Sequence, residues 1–152
     1  MSEDAGKASG RMKAIVAGGA VAGTFDLTLA FISFGSRVPQ GIASGLLGRQ
    51  MAFTGGAATW ILGVLLHYTI AYGAATIYCF SSLRLGFLKQ YFFVCGLFFG
   101  IAIFLVMNLV ILPISALHSM GPYPYRSLVE GLLAHMFLIG LPIAFCLNRF
   151  SK

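Results

Sequence analysis

Charged side chains are scarce in this sequence. The 152 residues include ten Lys and Arg and four Asp and Glu, so only 9% are charged, whereas an ordinary soluble domain has roughly 25%. A soluble domain of this length needs polar side chains over most of its surface, and this chain has too few of them. The apolar fraction is 59%. The composition therefore excludes a water-soluble globular domain and predicts a protein embedded in lipid.

Cysteine is also rare, and the three Cys residues form no Cys-x-x-Cys pair. This odd number predicts neither a disulfide framework nor a zinc site, so no metal site is expected. The cysteines are read as ordinary buried thiols near the inner ends of predicted helices: Cys79, Cys95 and Cys146. No Gly-x-Ser-x-Gly, His-Glu-x-x-His or Walker pattern occurs in the sequence, so no enzyme activity is predicted.

The net charge of +6 does not indicate nucleic-acid binding. Proteins that bind nucleic acids cluster Lys and Arg on one face, where these side chains contact phosphates. Here the cations are scattered between apolar stretches. The predicted partner is the lipid bilayer, and no nucleic acid is expected to bind.

Four apolar runs are long enough to cross a hydrocarbon core of about 30 Å as helices. They leave no room for a separate soluble domain, so residues 1–152 are predicted to form one all-α, four-helix membrane bundle. The first run is read as a retained span because it is longer than the core of a signal peptide and contains Asp26. The predicted spans are residues 14–34, 57–80, 91–112 and 128–147.

The positions of the cations predict the orientation of the bundle. With the N-terminus inside, seven cations lie on the cytoplasmic side: Lys7, Arg11, Lys13, Arg84, Lys89, Arg149 and Lys152. Three lie on the outer side: Arg37, Arg49 and Arg126. This distribution follows the positive-inside rule and predicts cytoplasmic N- and C-termini in a bacterial inner membrane.

The first outer loop is predicted to contain a short helix. Pro39 stands at a plausible first helical position, and Ile42, Leu46 and Arg49 follow at helical spacing. Such a helix lies in the membrane interface, either as an anchor or as a lid over a site beneath it.

The two halves of the sequence resemble each other. Spans 1 and 3 each contain a Gly-xxx-Gly pair, and spans 2 and 4 share a five-residue pattern from Gly to His: Gly19–Gly23 with Gly96–Gly100, and residues 63–67 with residues 131–135. Because a two-span unit keeps its orientation when it is duplicated, the pattern favours two parallel repeats. The glycines are read as positions of close helix packing.

Each predicted span contains one strongly polar residue: Asp26, His67, Asn108 and His135. Glu130 adds a further carboxyl at the outer end of span 4. Polar groups inside a membrane are costly, so they face the bundle interior and indicate a functional site by default. We therefore expect a polar column formed by these five residues that responds to or conducts protons or a small solute.

Two other interpretations of the histidines stay open. They can act as structural hydrogen-bonding groups between helices. Alternatively, His67 and His135 stand at equal depth on spans 2 and 4 and suggest the two axial ligands of a b-type haem. The leading prediction has no cofactor.

The segment Gly96 to Pro113, the Pro-rich outer loop, and the pair Glu130 and His135 resemble the YagU-like family of bacterial inner-membrane proteins. His67 adds to the likeness, which covers about two thirds of the chain. Glu130 and His135 stand one residue further apart than the family pattern. The resemblance implies a small inner-membrane protein linked to acid stress.

The sequence thus predicts a non-enzymatic membrane protein that responds to protons or a small solute. The alternative is a structural or assembly subunit, either of a larger membrane complex or of a homo-oligomer.

Overall fold

The computed structural model describes residues 2–151, and within this range every regular element is a helix. Four helical segments are long and apolar enough to cross a membrane, and we call them spans 1 to 4 in chain order: Ala5–Phe34, Gly56–Arg84, Phe92–Ile114 and Tyr125–Phe150. The predicted all-α, four-helix membrane architecture is confirmed.

Several helices are longer than the predicted apolar spans and include polar residues at their ends. Helix α1 (Ser2–Phe34) starts before the predicted residue 14 because a helix satisfies its own backbone hydrogen bonds whether its side chains are apolar or charged. It ends where Gly35 adopts φ +81°, a conformation that favours glycine. The other helices are α2 (Val38–Leu47), α3 (Arg49–Thr54), α4 (Gly56–Arg84), α5 (Phe87–Gln90), α6 (Phe92–Val106), α7 (Leu112–Ile114), α8 (Tyr125–Ala134) and α9 (Leu141–Phe150).

Two π-helical segments interrupt the last two spans, Met107–Ile111 before Pro113 and His135–Gly140 before Pro142. Proline has no N–H to donate to the carbonyl four residues earlier, and its ring clashes with that carbonyl. A π-helical turn adjusts the local hydrogen bonding around such a residue. Span 4 continues past Pro142 to Phe150, whereas span 3 ends at Ile114, directly after Pro113.

The spans pack side by side in the order 2, 1, 4, 3, so that span 1 contacts spans 2 and 4, and span 3 packs on span 4. The core lies in the half of the bundle that holds both chain ends and is rich in small residues. Ala22 and Ala144 are completely buried there, around the ring of Tyr78. Lipid removes the hydrophobic drive for helix association, so close contact between small residues takes its place.

Spans 1 and 2 and spans 3 and 4 each bring a histidine close to a glycine. In spans 1 and 2, the His67 ring is hydrogen-bonded to the backbone of Gly23. In spans 3 and 4, the backbone of His135 lies so close to Gly100 that a Cβ there would be 2.7 Å from the carbonyl carbon of His135. Each histidine thus meets the second glycine of the Gly-xxx-Gly pair in the preceding span. The first contact is a side-chain hydrogen bond and the second is an approach of two backbones, so the parallel repeats stay a prediction.

The helix predicted in the first outer loop is present as α2, with Pro39 in its first turn. It ends at Gly48, which has φ +77°, so Arg49 belongs to the next helix and not to this one. Pro39 is fully buried, and its carbonyl lies against Gly63 of span 2. The N–H of Ala116 donates to the carbonyl of Gly45 at 2.8 Å. Helix α2 is therefore packed into the bundle, between span 2 and the end of span 3.

Large apolar side chains cover the outside of the bundle. Ile32 on span 1 and Phe98 and Leu109 on span 3 are 66% to 78% exposed. Contiguous apolar surface of this kind is unsuited to water and fits the acyl chains of a bilayer.

Candidate functional site

His67 joins span 2 to span 1. Its Nε2 lies 2.8 Å from the carbonyl oxygen of Gly23. A carbonyl oxygen can only accept, so Nε2 carries the proton and, in the neutral ring, Nδ1 is the acceptor. Next to this bond, the hydroxyl groups of Tyr68 and Thr24 are 2.9 Å apart. Two hydrogen bonds therefore fix the contact of the two spans at one depth.

The absence of a side chain at Gly23 makes this contact short. A Cβ at Gly23 would lie 2.9 Å from the Tyr68 ring and 3.2 Å from the Cβ of Ala71. Without it, the carbonyl of Gly23 is open to the imidazole of His67. The sequence shows the histidine and the glycine but gives no sign of this bond, because backbone acceptors are the same in every residue.

Asp26 lies one turn beyond Gly23 on the same helix and is half-buried. At about 100° per residue it is offset by about 60° from Gly23 and about 40° from Ala22 around the helix axis. Ala22 is completely buried, so Asp26 is on the interior side of span 1. Its carboxyl forms no hydrogen bond or ion pair with any side chain described between residues 5 and 151.

Asn108, His135 and Glu130 make only local bonds. The Asn108 amide donates to the carbonyl of Phe104 at 2.8 Å, and the Nδ1 of His135 donates to the carbonyl of Gly131 at 2.7 Å. Each acceptor lies four residues earlier on the same span. Glu130 pairs at 2.6 Å with Arg126, also on its own helix, and both side chains are exposed to solvent or lipid.

The five polar residues therefore form two separate groups. His67 lies at the contact of spans 1 and 2, and Asp26 is on the interior side of span 1, whereas Asn108, Glu130 and His135 belong to spans 3 and 4. Among the described side chains, no hydrogen bond or ion pair links any two of the five. The single polar column expected from the sequence is not formed by direct contacts. The candidate functional site is the pair Asp26 and His67.

An apolar cavity of about 530 Å³ lies beneath helix α2, at the end of the bundle opposite the two chain ends. Its walls come from α2 and from spans 1, 2 and 3, including Ile42, Ile70 and Met107. Arg37 is the one cation in its lining. Helix α2 thus forms one wall of a cavity, but none of the five polar residues lines it, so the lid interpretation stays a prediction.

The residues present do not fit a haem held by both histidines. His67 uses Nε2 for the Gly23 carbonyl, which leaves only Nδ1, the nitrogen nearer its own backbone. His135 packs edge-on against the ring of Phe104, with ring centres 5.5 Å apart, on the other helix pair. Neither imidazole lines the cavity beneath α2. Within the described residues, no three His, Cys, Asp or Glu side chains form a group that suits a metal ion.

Comparisons with known proteins give no functional assignment. No protein-family model, curated protein or solved structure matches this chain. The resemblance to the YagU-like family stays a prediction.

Proposed function

We propose that this chain is a non-enzymatic membrane protein that responds to pH through Asp26, on the interior side of span 1, and His67, at the contact of spans 1 and 2. The observation that carries the proposal is the half-buried carboxyl of Asp26, which lacks a partner among the described side chains. An ionised Asp at the centre of a membrane helix costs about 2.5 to 3.5 kcal/mol. Binding a proton removes that charge, so the packing around Asp26 depends on its protonation state.

His67 provides the second proton-binding group. In the neutral ring, Nε2–H already donates to Gly23, and protonation adds a second donor at Nδ1 without breaking that bond. The charge at the helix contact changes while the hydrogen bond between the spans is kept. The response we propose is therefore a shift in local packing, and it leaves spans 1 and 2 associated.

The geometry favours a response over conduction. A proton path across the membrane needs a continuous series of polar groups, and the polar residues here are divided between two helix pairs. We also propose a bacterial inner-membrane location with both termini in the cytoplasm, supported by the seven-to-three distribution of cations. A link to acid stress follows from the family resemblance and agrees with a pH response.

Trp60 makes the proposal testable. It is the one tryptophan of the chain, and its Nε1 donates to the carbonyl of Ser36 at 3.0 Å. Its ring also stacks on Phe31 of span 1, with ring centres 6.3 Å apart. Trp60 fluorescence thus reports on the packing of spans 1 and 2.

The experiment is a fluorescence titration of the purified protein in lipid nanodiscs, from about pH 8 down to about pH 3, a range that includes the reference pKa values of both His and Asp side chains. The wild type is expected to show a sigmoidal change. Asp26→Asn and His67→Gln, which keep similar shapes, are expected to reduce or remove it. His118→Asn is the matched control, because His118 is exposed in the second outer loop and has φ +47°, which Asn tolerates. A flat wild-type titration, or an unchanged titration in both variants, would refute the proposal.

An assembly subunit is the second candidate. The bond of His67 to the backbone carbonyl of Gly23 favours it, because such a bond joins two helices without requiring a ligand. In that case Asp26 would pair with a cation of another subunit. Co-purification from native membranes with a larger complex at fixed stoichiometry, together with a flat pH titration, would favour this function.

A further inference from the structure

A basic pocket lies at the end of the bundle where both chain ends meet. Its volume is about 620 Å³, and it is formed by the first turns of α1, the short helix α5 and the end of α9. Three cations line it: Lys7, Arg11 and Lys89. Arg11 and Lys89 are half-buried, so their charges are less screened than those of freely exposed side chains.

Hydrogen bonds hold the walls of this pocket together. The Nζ of Lys89 donates to the carbonyl of Ser151 at 3.1 Å, and the amide of Asn148 donates to the carbonyl of Lys89 at 2.8 Å. The turn between spans 2 and 3 is thereby tied to the C-terminal end of span 4. The Lys89 ammonium has two further N–H donors, which can serve a bound anion.

Two glycines on α1 provide the space. Gly6 and Gly10 are one turn apart and both line the pocket. A Cβ at Gly6 would meet no atom within 4 Å, whereas a Cβ at Gly10 would lie 2.5 Å from the carbonyl oxygen of Phe150. Gly10 thus allows α1 to approach the end of α9, and Gly6 leaves the pocket open.

A buried hydroxyl in the same pocket lacks a partner. The Oγ of Ser151 is inaccessible to solvent and has no hydrogen-bond partner in the described part of the chain. A buried polar group of this kind costs free energy unless something bonds to it. Rotation of the Ser151 side chain toward the pocket would let an anion bound between the cations accept the hydrogen of this hydroxyl.

We propose that this pocket binds a phosphate group, supplied by the headgroup of an anionic phospholipid. Phosphate oxygens suit the guanidinium of Arg11, the ammonium of Lys89 and the Ser151 hydroxyl. Basic pockets between transmembrane helices are a recurrent place for such headgroups. Leu83 and Phe150 also line the pocket and offer apolar contact to the lipid beside its phosphate. This site is distant in the chain from Asp26 and His67 and does not depend on the function proposed for them.

Isothermal titration calorimetry of the detergent-purified full chain tests the proposal. The probes are dihexanoyl phosphatidylglycerol, dihexanoyl phosphatidylcholine and inorganic phosphate. We expect the anionic lipid to bind more tightly than the zwitterionic one. The double variant Arg11→Gln/Lys89→Gln is expected to bind the anionic lipid at least about tenfold more weakly. The matched control, Arg37→Gln/Arg49→Gln, removes the same charge at the other end of the bundle and should bind as the wild type does.

A second variant separates a shaped pocket from a diffuse positive surface. Gly6→Leu keeps every charge and meets no atom at its Cβ, so it fills the pocket without straining the helix. We expect it to weaken binding as the double variant does. Inorganic phosphate that binds as tightly as the lipid would confirm the phosphate site and identify the free anion as its ligand. Equal affinity of all variants for phosphatidylglycerol, or equal affinity of the wild type for both lipids, would overturn the proposal.

Discussion

Gly100→Ala tests the close packing of spans 3 and 4. The added Cβ would lie 2.5 Å from the Cα of Met136 and 2.7 Å from the carbonyl carbon of His135. Both are backbone atoms of the neighbouring span, so they cannot rotate away as a flexible side chain can. To accept one methyl group, the two helices must move apart, and contacts along their whole interface weaken.

The size of the effect follows from two opposing terms. Overpacking of a tight core costs about 1 to 3 kcal/mol, and a clash between two backbones belongs at the upper end of that range. Replacing Gly by Ala inside a helix gains about 1 kcal/mol in helix propensity. We therefore expect Gly100→Ala to lower the free energy of unfolding by about 2 kcal/mol.

Gly73→Ala is the matched control. Gly73 is also inside a span, but a Cβ there would meet no atom within 4 Å. This variant gains the higher helix propensity of Ala without adding a clash, so it should be about 1 kcal/mol more stable than the wild type. Unfolding in detergent with increasing SDS, followed by Trp60 fluorescence, measures both. If Gly100→Ala unfolds at the same SDS fraction as Gly73→Ala, the reasoning on backbone contact is wrong.

Two further predictions concern the thiols and the chain ends. With a maleimide in detergent, Cys95 should react before Cys79 and Cys146, because Cys95 is half-buried and the other two are buried. Equal rates, measured by mass spectrometry, would contradict the packing of the half of the bundle that holds both chain ends. A C-terminal green fluorescent protein fusion should fluoresce and a C-terminal alkaline phosphatase fusion should be inactive, since both ends are predicted to be cytoplasmic. The reverse pattern would show that the bundle is inserted in the opposite orientation.

The four spans were predictable because helix formation in lipid depends on local composition. A run of about 20 apolar residues is stable in the hydrocarbon core only if its backbone groups bond within the segment. The helix at Pro39 was predictable for a similar reason, since proline suits the first turn of a helix. The π-helical segments were not predicted, although Pro113 and Pro142 were the sequence signal that accompanies them.

The candidate site was predictable in its residues and unpredictable in its arrangement. Asp26 and His67 stand out in the sequence because polar groups are rare inside spans. The sequence could not show that His67 bonds to the carbonyl of Gly23, or that Asn108 and His135 bond only within their own helices. These outcomes depend on the rotation of each helix about its axis, which the packing of neighbouring spans sets.

By itself, the sequence determined the membrane character of this protein, its four helices and, through the distribution of cations, its predicted orientation. These properties depend on short segments of the chain, because the free energy of transferring a segment into lipid is set by the residues of that segment. Only the tertiary structure decided that the spans pack in the order 2, 1, 4, 3, that the polar residues divide into two groups, and that Arg11, Lys89 and Ser151 share a pocket. Residues distant in the chain meet only where the helices pack, and this packing depends on the shape of whole surfaces.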